Sequence, residues 1–94
     1  MPQKFRTKIV EIEATQFTGS NWDELSEWSE NSFRHGPKPY PLTHEGLELT
    51  AEVFDKLHNA WIGVAPGQWI VRGIKGEYYP CDDGTFHWKY EEVA

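Results

Sequence analysis

The chain has 94 residues, one cysteine and a net charge of −6. Its length allows one domain with one core, so we expect residues 1–94 to fold as a single unit, and the lone cysteine excludes an internal disulfide. Fifteen acidic residues against nine basic ones argue against direct nucleic-acid binding, and no apolar run approaches the roughly 20 residues of a membrane span.

The first 31 residues predict a strand followed by a short helix. In Lys8–Phe17 apolar side chains alternate with polar ones, which is typical of a half-buried strand. Ser20 or Asn21 can cap a helix that ends near Asn31. The apolar residues of this helix recur every three positions and so share one face: Trp22, Leu25 and Trp28. Its acidic residues are Asp23, Glu24, Glu27 and Glu30.

The middle of the chain is compatible with two structures. Residues 35–45 hold three prolines within five positions, which predicts a Pro-rich loop. The segment Gly46–Val64 carries apolar residues at helical spacing near its centre, but the alternation in Leu47–Asp55 is typical of a strand. We therefore favour a hairpin of Leu47–Asp55 and Ala60–Val64, with a turn at Lys56–Asn59, over a helix.

The last third carries the clearest pattern. Trp69–Arg72 and Glu77–Pro80 are predicted to pair as a hairpin, because Gly73–Gly76 has a glycine at each end of a tight connection. Pro80 should end its strand or lie at a sheet edge, since it cannot donate a hydrogen bond to a neighbouring strand.

The residues after this hairpin complete the predicted fold. Asp82 or Asp83 can cap a short helical turn, and residues 86–90 are expected to form a last strand or a tail. Together the elements predict an α+β fold, with a small antiparallel sheet of about five or six strands and one main helix packed on it.

The residue types and their spacing do not indicate an enzyme or a metalloprotein. The four histidines are scattered, and none is spaced from another or from Cys81 as metal ligands are, so we predict no metal and no cofactor. Two aspartates follow Cys81, and negative neighbours raise the pKa of a thiol. We therefore expect a structural thiol and not a nucleophile.

Two groups of side chains are candidate binding surfaces. The first combines cations and aromatic rings, which together can hold a planar anion by charge and stacking. Its members are Arg72, Lys75, Trp61, Trp69 and Tyr79. The second is the acidic face of the predicted helix, Asp23, Glu24, Glu27 and Glu30, which can dock on a basic surface of a partner protein. The alternative for these groups is core packing or a solvated surface.

The segment Pro66–Cys81, PGQWIVRGIKGEYYPC, resembles the C-terminal motif of a widespread family of small bacteriophage and prophage proteins. Phe86 and the pair Tyr90–Glu91 are similar to the aromatic and the tyrosine–glutamate ending that follow this motif in the family. The opening Lys4–Phe17 resembles the family's start, and Val53–Ile62 resembles the middle of its longer members.

The resemblance implies a phage or prophage source and action in the bacterial cytoplasm, but no reaction. Gln68 departs from the acidic residue that is usual in the family at this place. We therefore expect a phage-encoded, non-enzymatic binding protein that engages a host factor or a host defence component. The alternatives are a protein that sequesters a small nucleotide-type signal, and a structural or virion-associated subunit that self-associates.

Overall fold

The computed structural model describes residues 2–6, 10–36 and 42–93. Within them the chain has the predicted α+β composition, with eight strands and two helices. In chain order these are β1 (Glu13–Gln16), α1 (Trp22–Trp28), β2 (Phe33–His35), β3 (Leu42–His44), β4 (Leu47–Leu49), β5 (Ala51–Asp55), β6 (Ala60–Val64), β7 (Trp69–Arg72), β8 (Tyr78–Cys81) and α2 (Asp83–Lys89). The strands form three antiparallel sheets, in the orders β1-β7-β8, β2-β5-β6 and β3-β4.

The prediction of one sheet of about five or six strands with one main helix was therefore wrong in detail, because the described residues form three sheets and two helices of seven residues each. A change of strand partner explains part of the difference. Thr50 still belongs to the sheet of β5, because its N–H donates to Val64 (3.1 Å) and its carbonyl accepts from Gly36 (3.4 Å). The preceding Leu49 already pairs with Leu42 of β3. The strand predicted over residues 47–55 is thus divided at Thr50, whereas the predicted β5–β6 hairpin is confirmed.

The first strand is shorter than predicted. Residues 8 and 9 lie outside the described part of the chain, and the strand β1 begins only at Glu13. Val10 is 50% exposed, so the period-two pattern extends beyond the residues that pair. The predicted loop over residues 35–45 is also narrower, because His35 ends β2 and β3 begins at Leu42, while residues 37–41 are outside the described residues.

The helix α1 has the predicted inward face, but it ends at Trp28 and not near Asn31, because Glu30 and Asn31 have positive φ values of 56° and 66°. Leu25 is fully buried, and Trp22 and Trp28 pack against the core. Asn21 is the N-cap residue, but its side chain makes no bond to a helix N–H. Its Oδ1 instead accepts from the N–H of Thr18 (2.8 Å), and its Nδ2 donates to Glu24 (2.8 Å). The asparagine therefore joins the entering loop to the first turn of α1.

The C-terminal residues correct a second prediction. Asp82 caps α2 as expected, since its carboxylate accepts from the N–H of Thr85 at 3.0 Å. Residues 86–89, however, continue the helix and do not form a strand or tail. The reason is that Phe86 and Tyr90, one helical turn apart, pack together with ring centroids 5.1 Å apart, and Phe86 also stacks on Trp69 of β7.

One cluster of buried side chains joins α1 to two of the sheets. Its members are Phe17, Leu25, Phe33, Ala51, Val53, Val64, Ile70 and Tyr78. Apart from Phe17, they come from α1, from β2, β5 and β6, and from β7 and β8. The hairpin of β7 and β8 therefore contributes one of its faces to the main core, and this decides where its other residues lie.

Candidate functional site

The β7–β8 hairpin separates the predicted ligand-binding residues onto two sides. Residues that pair directly across an antiparallel ladder point to the same face of the sheet, and the next pair along points to the opposite face. The pairs Ile70–Pro80 and Arg72–Tyr78 form the inner face, which meets the core. The pairs Trp69–Cys81 and Val71–Tyr79 form the outer face. Arg72 is therefore on the opposite side of the hairpin from Trp69 and Tyr79.

The outer face is covered by α2. The ring of Trp69 stacks on Phe86, with centroids 4.2 Å apart and an interplanar angle of 4°, and its Nε1 donates to Asp83 (2.9 Å). The hydroxyl of Tyr79 lies 3.4 Å from that of Tyr90. Burial, and secondly this contact, raises the pKa of Tyr79. These two predicted ligand residues are thus packing partners of α2.

The inner face places Arg72 in a network of three hydrogen bonds. Its Nε donates to the hydroxyl of Tyr78 (2.9 Å), and its two terminal nitrogens donate to Glu13 (2.7 Å) and to the backbone carbonyl of Trp28 (2.7 Å). Burial alone would lower the pKa of Arg72, but the bonds to Tyr78 and Glu13 raise it above its usual value. The guanidinium is therefore charged and fixed in position.

The remaining two predicted residues lie elsewhere. Trp61 is in β6, where the guanidinium of Arg34 covers its ring at 3.6 Å. Lys75 is exposed on the β7–β8 turn, and its N–H donates to the buried Glu77 (3.0 Å). The turn needs glycine at position 76, where φ is +78°, and the carboxylate of Glu77 fills the space beside Gly73. The five predicted residues do not converge on one site.

The structure instead reveals a cavity of about 350 Å³ on the Arg72 side of the hairpin. Three connections meet here: the segment that follows α1, the β5–β6 turn and the β7–β8 turn. The lining residues are Ser29, Glu30, Ser32, Phe54, Lys56, Arg72, Gly76 and Tyr78. Of these, only Arg72 was predicted as a ligand residue and only Glu30 as a partner residue.

Lys56 lies on the β5–β6 turn, which hydrogen bonds of the neighbouring residues stabilise. The preceding Asp55 is buried, and its carboxylate bonds to Nδ1 of His58 (2.6 Å) and accepts from the N–H of Leu57 (3.0 Å). The hydrogen bond to His58 lowers the pKa of Asp55, even though burial acts in the opposite direction. The sequence predicted this turn, but it contains no signal that the turn lies beside Arg72.

The acidic face of α1 is presented as predicted. Asp23, Glu24 and Glu27 are exposed on α1, and the fourth predicted residue, Glu30, is exposed on the turn that follows the helix. None of them forms an ion pair with a described residue. Because the opposite face of α1 is packed in the core, these charges are held on a fixed surface.

Cys81 and the possible metal ligands can be compared with their predictions in the described part of the chain. The pKa of Cys81 is raised, first by burial and then by Asp82, which leaves the thiol a poor nucleophile near neutral pH. No group of three or more His, Cys, Asp or Glu residues within 2–6, 10–36 and 42–93 is arranged to hold a metal ion. Over the same residues, no helix has the length and apolar character needed to cross a membrane.

Comparison with known proteins adds no relative. The chain matches no protein-family model, no curated protein and no solved structure at a significant level.

Proposed function

We propose that this chain is a phage-encoded, non-enzymatic binding protein of the bacterial cytoplasm, and that the acidic face of α1 docks on a basic surface of a host protein. The observation that carries the proposal is the division of α1 into two faces. The inward face anchors the helix through Leu25, while the outward face holds three exposed carboxylates, with Glu30 on the following turn as a fourth, and none has an ion-pair partner among the described residues. The phage source rests on the family resemblance of Pro66–Cys81.

A rigid set of like charges suits recognition of an oppositely charged surface. Electrostatic complementarity raises the association rate and excludes partners of the same charge, and both effects weaken as salt screens the charges. The net charge of −6 adds to the field of the helix at long range. A basic surface on a nucleic-acid-binding host protein is a partner of this kind, because such surfaces carry clustered Lys and Arg.

The test neutralises the helix while keeping its shape. One variant removes three charges from α1: Asp23→Asn, Glu24→Gln and Glu27→Gln. A matched control removes three exposed charges from other elements: Glu48→Gln, Glu91→Gln and Glu92→Gln. Each substitution replaces a carboxylate by a carboxamide of similar size and leaves the backbone amide and carbonyl groups unchanged. Both variants change the net charge by the same amount.

Host-lysate proteins captured by the wild-type chain are identified by mass spectrometry, and the purified partner is then measured by biolayer interferometry at low and high salt. We expect the α1 variant to associate roughly tenfold more slowly at low salt, and the control to associate nearly as the wild type does. Equal losses in both variants would show only a net-charge effect. Unchanged binding by the α1 variant would exclude this face as the contact.

A further inference from the structure

The cavity beside Arg72 contains hydrogen-bond donors that the fold does not use. The ammonium of Lys56 forms no ion pair or hydrogen bond with any described residue. Arg72 has five N–H groups, and its bonds to Tyr78, Glu13 and Trp28 use three of them. Tyr78 accepts from Arg72, so its own hydroxyl proton is still available to donate. A cavity with such donors is suited to oxygen atoms that carry negative charge.

The other walls limit the shape and chemistry of what can enter. Ser32 adds a hydroxyl group and Phe54 adds an aromatic ring, whereas the hydroxyl of Ser29 is already used in hydrogen bonds to the carbonyl of Ser26 and the N–H of Ser32. Glu30 is the acidic residue of the lining, and it can accept a hydrogen bond from a hydroxyl or amino group. The volume of about 350 Å³ is at the low end of the range for small-molecule pockets. A small molecule fits this description better than a polymer does.

We propose that this cavity binds a small organic anion, with a phosphate or carboxylate group at Lys56 and Arg72 and a hydroxyl or amino group toward Glu30. The two cations differ in how they are held. Arg72 is fixed by three hydrogen bonds, so its position costs little entropy on binding. Lys56 has a flexible stem, but the turn beneath it is ordered by Asp55 and His58.

Gly76 lines the cavity beside the flexible side chain of Lys56. A Cβ atom at this position would stand 3.2 Å from the Lys56 ammonium, and the φ of +78° is strained for any other residue. The glycine of the family-like motif therefore serves the turn and also lies beside the cation. This site is different from the predicted set that included Trp69 and Tyr79, which lie on the other face of the hairpin.

The experiment compares two lysines on neighbouring turns. Lys56→Gln removes one of the two cations that line the cavity, whereas Lys75→Gln removes a cation that is likewise exposed but does not line it. Each ¹⁵N-labelled protein is titrated with inorganic phosphate, glycerol 3-phosphate and citrate at constant ionic strength, and amide shifts are followed by NMR. Urea denaturation checks that both variants keep the wild-type stability.

With the wild type we expect saturable shifts at Ser32, Lys56 and Gly76 for the phosphate probes, for citrate, or for both, which identifies the preferred anionic group. The dissociation constant should rise roughly tenfold in Lys56→Gln and less than twofold in Lys75→Gln. Shifts that do not saturate for any probe, or equal weakening in the two variants, would overturn the proposal.

This outcome is independent of the proposed protein contact. The neutralised α1 variant retains Glu30 and Lys56, so it should bind the anion as the wild type does. Lys56→Gln in turn leaves Asp23, Glu24 and Glu27 unchanged and should retain the protein partner. A failure of one proposal can therefore be told apart from a failure of the other.

Discussion

The inner and outer faces of the β7–β8 hairpin are built from adjacent residues but have different roles in the fold. On the inner face Ile70 and Tyr78 are 0% and 7% exposed and belong to the main core. On the outer face Trp69 and Tyr79 are half-buried under α2, a helix without a buried residue of its own. Val71 of the outer face is also fully buried, so both faces contribute to global stability. The region of Trp69 and Tyr79 under α2 is the part that we expect to open first.

The largest effect should come from the inner face. Ile70→Ala removes a fully buried side chain and leaves a cavity, so we expect the free energy of unfolding to fall by about 3–4 kcal/mol. Ile74→Ala is the matched control, because Ile74 is the same residue type and is 72% exposed on the adjoining turn. It should change stability by less than about 0.5 kcal/mol in urea denaturation. Equal losses in the two variants would contradict the assignment of the inner face to the core.

A smaller effect should come from the contact between α2 and the outer face. Phe86→Ala removes the ring stacked on Trp69, and we expect it to cost about 1–2 kcal/mol. Burial is the first cause of the raised pKa of Cys81, and Lys89 of α2 has a smaller effect in the opposite direction. Because burial is the larger effect, release of α2 should lower that pKa and speed the reaction of the thiol with a disulfide reagent.

The control for this prediction is Trp88→Ala, which removes a ring from α2 that is 86% exposed. It should leave both stability and thiol reactivity near the wild-type values. If Cys81 reacts at the same rate in the Phe86 variant as in the wild type, α2 does not protect the outer face.

The smallest expected effect on stability concerns the Tyr79 hydroxyl. It changes the free energy of unfolding only at alkaline pH. An ordinary tyrosine has a pKa of about 10, and the pKa of Tyr79 is raised in the folded chain. The unfolded chain therefore loses this proton first, so the stabilising contribution is complete below about pH 10 and is lost as the pH rises further. Tyr79→Phe should flatten the decline of stability above about pH 10 in urea titrations. An unchanged decline would place its origin elsewhere.

Local patterns predicted those elements whose causes are local. The three-residue spacing of Trp22, Leu25 and Trp28 identified the inward face of α1, and the aspartates at positions 82 and 83 indicated a helix start, which the structure places at Asp82. The predictions of secondary structure were wrong where a contact with a residue distant in sequence determines the local structure. Alternation continues past Thr50, although the chain changes its strand partner there, and Phe86 becomes helical while it packs against Trp69.

The candidate site shows the same division. Arg72 was recognised as a cation on a β-hairpin, and Lys56 was placed correctly in a turn. Sequence reasoning grouped Arg72 with Trp69 and Tyr79 because they are close along the chain. In a strand, however, successive side chains point to opposite faces. Arg72 therefore lies on one face of the hairpin, and Trp69 and Tyr79 lie on the other.

The amino-acid sequence by itself determined the α+β composition, the acidic face of α1 and the two turns that carry Lys56 and Lys75, because charge, spacing and turn chemistry act over a few residues. Only the tertiary structure decided that Lys56, Arg72 and Glu30 line one cavity. They are joined by the packing of α1 and two hairpins around a common core, and such long-range contacts leave no periodic signal in any one segment of the chain.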